Sequence, residues 1–280
     1  MPTLAILGAG ELGAALASTL ARRQWPGEII LVDDASSIAA GKALDILESA
    51  PVDGSDTRLT GTADDDRVAN ADIVAIADRT TGGEWNGEGG LARLRRVVSL
   101  APGGLIVCAG ASQAGLMETA ARELKLDRRR LVGSAPAALE AAARAVTAAE
   151  INAAATEVAL FVVGIPPRRM SIAWSGATLH GQPIAAFLDA HRIARIDARL
   201  PALWPPGPYA LASAASRVCE GLARGSRRLH TSFLVLDGEL GPRGRVVALP
   251  VRIGVRGVSE VLVPPLSVHE RVRLENALGP

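Results

Sequence analysis

Short apolar runs alternate with helix-like periodic segments through the first half of the chain. The apolar runs predict strands at 3–8, 28–33, 57–60, 72–77, 104–108 and 130–132. Apolar residues that recur every three to four positions predict helices at 12–23, 41–50, 91–100 and 113–124. This alternation is typical of right-handed βαβ crossovers, which build a mostly parallel sheet with helices on both faces.

The second half of the chain follows a different pattern. Helices are predicted at 137–149, 209–223 and 267–277, with a proline-rich break at 201–208. Strands are predicted at 156–163, 170–174, 229–236, 244–253 and 257–262. The last three strands have no helix between them, so antiparallel pairing is expected. We therefore predict an α/β protein: a Rossmann-type, doubly wound parallel sheet over 1–135, followed by an α+β domain over 136–280.

Composition narrows the function classes. A formal net charge of +1 gives no reason to expect a nucleic acid or an acidic membrane as partner. No apolar stretch is long enough to span a bilayer, and the first strand begins too early for a signal peptide, so we expect a soluble cytoplasmic protein. Cys108 and Cys219 have neither metal-ligand nor disulfide spacing, and Cys108 is expected to be a buried, inert thiol. The glycine-rich segment Gly82 to Gly90 is expected to be a mobile loop.

A glycine-rich turn between the first strand and the first helix carries the main chemical signal. Gly8 allows a tight turn, Gly10 would let the backbone approach a pyrophosphate, and Gly13 lets the helix pack closely on the strand. The helix N-terminus would then face the phosphates. Asp33 ends the next strand, where its carboxylate would bind the ribose hydroxyls and favour NAD over NADP. The candidate cofactor-binding residues are Gly8, Gly10, Glu11, Leu12, Gly13 and Asp33. The alternative is a strand-turn-helix without a ligand.

Several longer segments resemble a known family. They are Leu31-Val32-Asp33, Gly41 to Val52, Thr60-Gly61-Thr62, Ala71-Asp72-Ile73-Val74 and, more faintly, Val246 to Val263. Together they resemble the lactate/malate dehydrogenase family, and most of all its bacterial NAD-dependent malate dehydrogenases. The resemblance implies NAD as cofactor, reduction of oxaloacetate or pyruvate, and a homo-oligomer, either dimer or tetramer.

The same resemblance locates the family's catalytic positions, and this chain departs from the pattern at each of them. Pro166 stands where the family has its proton-donating His. The helix that should carry an Asp and a substrate-binding Arg three residues apart has Glu140 and Arg144, four apart. That offset turns one side chain by about 100° around the helix, so an i,i+4 surface ion pair is the alternative role. The family's Asn-Pro falls on Ala111-Ser112, and its loop arginines fall near Thr81 and Gly87.

Other residues could replace the missing ones. His180, which follows a predicted strand by one turn, is the best candidate for a substitute acid, with Glu140 and Arg144 as further catalytic candidates. His191 lies in a charged run and is expected to be solvated, while His230 and His269 suit structural or surface positions. Arg168-Arg169 could hold a small anionic ligand, or could be a solvated pair.

Cofactor binding itself is open to question, because Asp78 replaces the family's glycine after the strand 72–77. Its carboxylate would lie near the phosphates and its Cβ in space left for the ligand, so NAD binding is expected to be weakened.

Three hypotheses about the function of the chain follow. The chain is an NAD-binding homologue that is inactive on malate and oxaloacetate, an oxidoreductase with a rewired site and a changed 2-oxo acid substrate, or a structural or partner subunit that assembles through Leu44 and Leu47 of the helix 41–50.

Overall fold

The computed structural model describes residues 1–279, which form eight α-helices and sixteen β-strands. The helices are α1 (Glu11–Arg23), α2 (Ser36–Asp53), α3 (Gly87–Leu100), α4 (Ala114–Glu123), α5 (Ala135–Glu150), α6 (Ala190–Arg199), α7 (Pro208–Arg224) and α8 (Val268–Leu278). The strands of the first half are β1 (Thr3–Leu7), β2 (Glu28–Val32), β3 (Arg58–Thr62), β4 (Ile73–Ile76), β5 (Asp78–Arg79), β6 (Gly83–Glu84), β7 (Leu105–Cys108) and β8 (Leu131–Gly133). The strands of the second half are β9 (Val158–Ala159), β10 (Val162–Ile165), β11 (Arg169–Ile172), β12 (Thr178–Leu179), β13 (Gln182–Pro183), β14 (Leu229–Asp237), β15 (Arg243–Gly254) and β16 (Gly257–Val261).

Six parallel strands form the first part of an eleven-stranded sheet, in the order β3-β2-β1-β4-β7-β8. The residues of β1 from Leu4 onward and all of β4 are buried, as expected of central parallel strands covered on both faces. The helix α1 buries Leu12, Leu16 and Leu20 against this sheet. The predicted Rossmann-type parallel sheet is confirmed.

Antiparallel strands continue the same sheet beyond β8. Phe233 of β14 pairs with Gly133 of β8, and the order then runs β14-β15-β10-β11. The strand β16 also pairs with β15, on the edge opposite β14. The helix α7 packs against α1 and carries the small buried residues Ala212 and Ala215, which let it lie close to its neighbours. The antiparallel pairing expected for the second half is therefore present.

Two expectations from the sequence were wrong in detail, and one helix was not predicted. The segment from Gly82 to Gly90 is not a loop throughout, because Gly83 and Glu84 form β6 and Gly87 begins α3. The predicted strand 156–163 is two short strands in different sheets. The charged run around His191 forms the helix α6, which begins where the Asp189 side chain accepts a hydrogen bond from the Arg192 N–H.

Both cysteines are buried and free. Burial, with a smaller contribution from the Glu84 charge, raises the pKa of Cys108 to about 12, which agrees with the inert thiol expected from its apolar run. No helix within residues 1–279 has the length and apolar character that crossing a membrane would require.

Candidate functional site

The strand order reverses between the neighbouring strands β1 and β4. From β1 the chain continues through β2 and β3 toward one edge of the sheet, and from β4 it continues through β7 and β8 in the opposite direction. In open α/β sheets such a reversal opens a crevice at the carboxyl ends of the strands, where ligands bind. The glycine turn 8–13 follows β1, Asp78 follows β4, and the segment 109–112 follows β7. These three segments meet at the crevice because their strands are adjacent.

The glycine turn has the backbone geometry that its sequence predicts. Gly8 has φ +106°, a left-handed conformation that side-chain-bearing residues rarely adopt. A Cβ on Gly13 would lie 1.9 Å from the Gly8 carbonyl oxygen, so this glycine permits α1 to pack onto the turn. The Lys42 ammonium group donates hydrogen bonds to the Ala9 and Gly10 carbonyl oxygens, at 2.5 and 3.1 Å, and so holds the turn from α2.

The Asp78 side chain occupies the N-terminus of α1. Its two carboxylate oxygens accept hydrogen bonds from the Gly13 and Leu12 N–H groups, at 2.9 and 3.2 Å, and its carbonyl oxygen accepts one from the Gly10 N–H at 2.9 Å. A Cβ on Gly10 would lie 2.3 Å from the Asp78 Cγ atom. The close approach that Gly10 permits is therefore made here by a carboxylate of the chain itself. The positive end of the helix dipole favours a negative group in this position.

Asp33 is also bound by backbone amides of the chain. Its carboxylate accepts hydrogen bonds from the N–H groups of Ala9, Thr80 and Ala35, at 2.8, 3.0 and 3.0 Å, and only 3% of the residue is exposed. Burial by itself would raise the pKa of Asp33. The three backbone hydrogen bonds outweigh this effect and hold the pKa below its usual value, so the side chain is a fixed anion at neutral pH.

A third carboxylate covers the segment after β7. Glu84, in β6, accepts hydrogen bonds from the N–H groups of Ala111 and Ser112 and from the Ser112 hydroxyl, at 2.8, 2.7 and 2.6 Å. A Cβ on Gly110 would lie 2.4 Å from a Glu84 carboxylate oxygen. These amides belong to the position where the family resemblance implies a substrate-orienting Asn, and they are bound by the chain's own side chain instead.

The strands β5 and β6 pair as a short hairpin, residues 78–84, which carries Asp78, Thr80 and Glu84. We call this segment the crevice hairpin. Next to it lies Trp85, which is buried and contacts two guanidinium groups: the Cζ atom of Arg79 is 4.9 Å from the ring centroid and that of Arg93 is 5.3 Å. These cation–π contacts stabilise the fold of the hairpin over the crevice.

The two candidates on α5 are engaged away from each other. The Glu140 carboxylate accepts a hydrogen bond from the Thr231 hydroxyl, and the Arg144 guanidinium donates one to the Thr156 carbonyl oxygen at 3.4 Å. Within residues 1–279 these two side chains form no ion pair closer than 4.0 Å, so the i,i+4 surface pair offered as an alternative was wrong. Burial raises the pKa of Glu140 to about 7, although the Thr231 hydrogen bond and the charge of Arg144 lower it.

The histidines lie at separate places. His180 is exposed in the turn between β12 and β13, where its Nε2 atom is 3.0 Å from a Glu157 carboxylate oxygen. The His230 Nε2 atom is 2.9 Å from the Ser226 hydroxyl, and burial, assisted by Arg228 and Arg217, lowers the pKa of this histidine. His191 and His269 are exposed.

The segment in which the resemblance implies the catalytic His is the turn between β10 and β11. Pro166 and Pro167 form this turn, and a Cβ on Gly164 would lie 2.3 Å from the Arg169 carbonyl oxygen. The Arg169 guanidinium donates to the Ala277 carbonyl oxygen of α8 at 3.5 Å, and Arg168 is exposed. The arginine pair thus lies against α8, beside a hollow of about 340 Å³.

The sequence predicts Asp78 near the phosphate position, but it does not predict the roles of Glu84 and Lys42. The only local signal for Glu84 is its place in the glycine-rich segment 82–90, whose composition predicts a mobile loop. Lys42 is one of two lysines among 30 basic residues, and it belongs to a segment that carries the family resemblance. The sequence does not reveal the hydrogen-bond partners of Glu84 and Lys42, because each partner lies at least 27 residues away.

The parallel strand order and the glycine turn at its reversal are those of the Rossmann fold. No protein-family model matches the chain. The chain is 27% identical to a malate dehydrogenase of Cytophaga hutchinsonii over 290 residues, which cover 97% of this chain and 93% of that protein. A malate dehydrogenase of Salinibacter ruber is 26% identical over 294 residues, covering 98% and 93%.

Solved structures agree. The malate dehydrogenase of Salinibacter ruber superposes with a TM-score of 0.87 at 25% identity, covering 99% of this chain and 94% of that one. A lactate dehydrogenase of Cryptosporidium parvum, solved with lactic acid and nicotinamide adenine dinucleotide, has the same fold at a TM-score of 0.90 and 21% identity, covering 99% and 94%. In both sequence and fold, the chain is therefore similar to the malate and lactate dehydrogenases.

Proposed function

We propose that this chain is a non-catalytic member of its family, inactive on malate and oxaloacetate and on lactate and pyruvate. The observation that carries the proposal is the absence of a titratable group at Pro166, the position that corresponds to the proton donor. A positioned general acid contributes roughly 10²–10⁴ in rate. Each lost charge-assisted hydrogen bond to the substrate costs about 1.5–3 kcal/mol. Losing the acid and the substrate arginines together removes useful turnover.

The contacts made by the remaining catalytic candidates support this proposal. Glu140 is bound to Thr231, Arg144 to the Thr156 carbonyl, and His180 to Glu157 in an exposed turn. Each contact leads away from the others, so these side chains do not form the compact group that hydride transfer to a carbonyl needs. An oxidoreductase with a rewired site would need at least two of them together.

For the cofactor we propose NAD, bound weakly at the crevice between β1 and β4. The glycine turn and the anionic Asp33 support a dinucleotide without a 2′-phosphate. The Asp78 and Glu84 carboxylates at the same crevice support the weak affinity, since they repel the phosphates and already bind the amides. We further propose a cytoplasmic homo-oligomer in which Leu44 and Leu47, both exposed on α2, are covered by another subunit.

The test is an NADH oxidation assay of the purified chain with oxaloacetate, pyruvate and a panel of other 2-oxo acids. The malate dehydrogenase of Salinibacter ruber serves as the positive control, and circular dichroism verifies that the chain is folded. We expect no protein-dependent oxidation of NADH with any of these acids. A turnover of about 1 s⁻¹ or more, the lower end of ordinary enzymes, would refute the proposal and favour a rewired oxidoreductase.

A further inference from the structure

The amide groups that a Rossmann turn offers to a pyrophosphate are not free in this chain. In this class of fold the pyrophosphate lies at the N-terminus of the first helix, where backbone N–H groups and the helix dipole bind its charge. Here the Leu12 and Gly13 N–H groups donate to the Asp78 carboxylate, and the Gly10 N–H donates to the Asp78 carbonyl. A carboxylate has the charge and the acceptor oxygens that a phosphate would present.

The crevice hairpin is held at two further points along the same crevice. The Thr80 N–H donates to Asp33, the residue that would bind the ribose, and Glu84 accepts the Ala111 and Ser112 N–H groups. The three anchors span residues 78–84, so a ligand that needs any one of these positions must move the hairpin. The fit is close at both ends, as the short Cβ distances at Gly10 and Gly110 indicate.

We propose that Asp78 is the residue that limits dinucleotide affinity in this chain, because its carboxylate occupies the pyrophosphate position and must leave before a dinucleotide can bind. The inference rests on the proposed NAD-binding crevice. It names Asp78 as the side chain of this protein that competes with the dinucleotide for the crevice. The competition is electrostatic as well as steric: a charge-assisted hydrogen bond from a backbone N–H to a carboxylate is about twice as strong as a neutral one. A dinucleotide therefore exchanges one anion for another at α1 and gains little.

Replacing Asp78 should reverse this balance. In Asp78→Gly the amides of Leu12 and Gly13 are free and the space beside Gly10 is open. In Asp78→Asn the charge is removed while the size of the side chain is kept. We expect the Kd for NADH to fall at least about tenfold in Asp78→Gly, the change that follows when the ligand no longer has to displace one charge-assisted hydrogen bond. A smaller fall is expected in Asp78→Asn.

The experiment is a calorimetric titration of the wild-type chain and both variants with NADH and, separately, with inorganic pyrophosphate. Asp189→Asn is the matched control, because Asp189 also accepts a backbone N–H at a helix N-terminus but lies at α6. Tryptophan fluorescence provides a second readout, since displacing the crevice hairpin moves the Arg79 guanidinium away from the Trp85 ring. We expect NADH to shift the emission of the wild-type protein to longer wavelength as the hairpin moves.

A gain of affinity in both Asp78 variants but not in Asp189→Asn supports the inference. Equal Kd values for the wild-type chain and the variants, or no binding by any of them, would overturn it. Asp78→Asn keeps the test decisive if Asp78→Gly does not fold. The outcome of this titration is independent of the turnover assay. The Asp78 variants can fail to gain affinity for NADH although the chain is inactive, and the wild-type chain can reduce a 2-oxo acid although Asp78 limits its affinity.

Discussion

Glu140 on α5 allows a quantitative test of how much a buried charge lowers the free energy of unfolding of this chain. Its carboxylate accepts the Thr231 hydroxyl, and burial raises its pKa from 4.5 to about 7. In the unfolded chain the group ionises near its ordinary value. Between these two pKa values the folded protein binds more protons than the unfolded chain, so the free energy of unfolding falls as the pH rises from about 5 to about 8.

The size of the effect follows from the two pKa values. The difference between 4.5 and about 7 corresponds to at most about 3 kcal/mol of stability lost once the pH exceeds the folded pKa. Glu140→Gln removes the charge, and its amide oxygen can still accept the Thr231 hydroxyl. We therefore expect the variant to be more stable than the wild-type chain by up to about 3 kcal/mol near pH 8, and nearly equal to it near pH 5.

Urea unfolding followed by tryptophan fluorescence at the two pH values measures this difference. The control is Glu48→Gln, because Glu48 is exposed on α2 and its substitution should change little at either pH. The reasoning would be wrong if Glu140→Gln changed the free energy of unfolding by the same amount at both pH values, since the burial of a charge could not then be the cause.

Two further substitutions probe the packing that positions the crevice and the C-terminal helix. Gly13→Ala places a Cβ 1.9 Å from the Gly8 carbonyl oxygen and should cost about 3 kcal/mol in urea unfolding, whereas Gly41→Ala, in open space on α2, should stabilise the chain slightly. Glu270 accepts the Ser175 hydroxyl and N–H and the Ser267 N–H; burial would raise its pKa, but these hydrogen bonds hold it below the usual value. Glu270→Gln should cost about 2 kcal/mol near pH 7, and its difference from the wild-type chain should shrink as the pH falls through the folded pKa.

Most of the fold could be predicted from local patterns. Apolar runs located the six parallel strands to within a few residues, because buried parallel strands are apolar on both faces. The charged helix α6 was missed, since Ile196 is its only buried residue and an apolar stripe is the signal on which helix prediction depends. The crevice hairpin was missed because its strands are two residues each and its glycines are typical of loops.

The proposal that the catalytic residues are replaced rests on the positions that the family resemblance aligns. Pro166 has no titratable group in any fold, so the sequence alone is sufficient for that part of the proposal. The roles of Glu140 and Arg144 were different, because an i,i+4 spacing allows a surface pair. Whether the pair forms depends on what lies beside α5, and Thr231, 91 residues away, provides the competing partner for Glu140.

The amino-acid sequence by itself determined the glycine turn, the βαβ alternation and the chemical character of each side chain at the crevice. Only the tertiary structure decided that Asp78 binds the N-terminus of α1 and that Glu84 binds the amides after β7. The physical reason is that a hydrogen bond between residues 65 or 28 positions apart depends on which strands are neighbours. Strand adjacency is a property of the whole sheet, and no local pattern of residues specifies it.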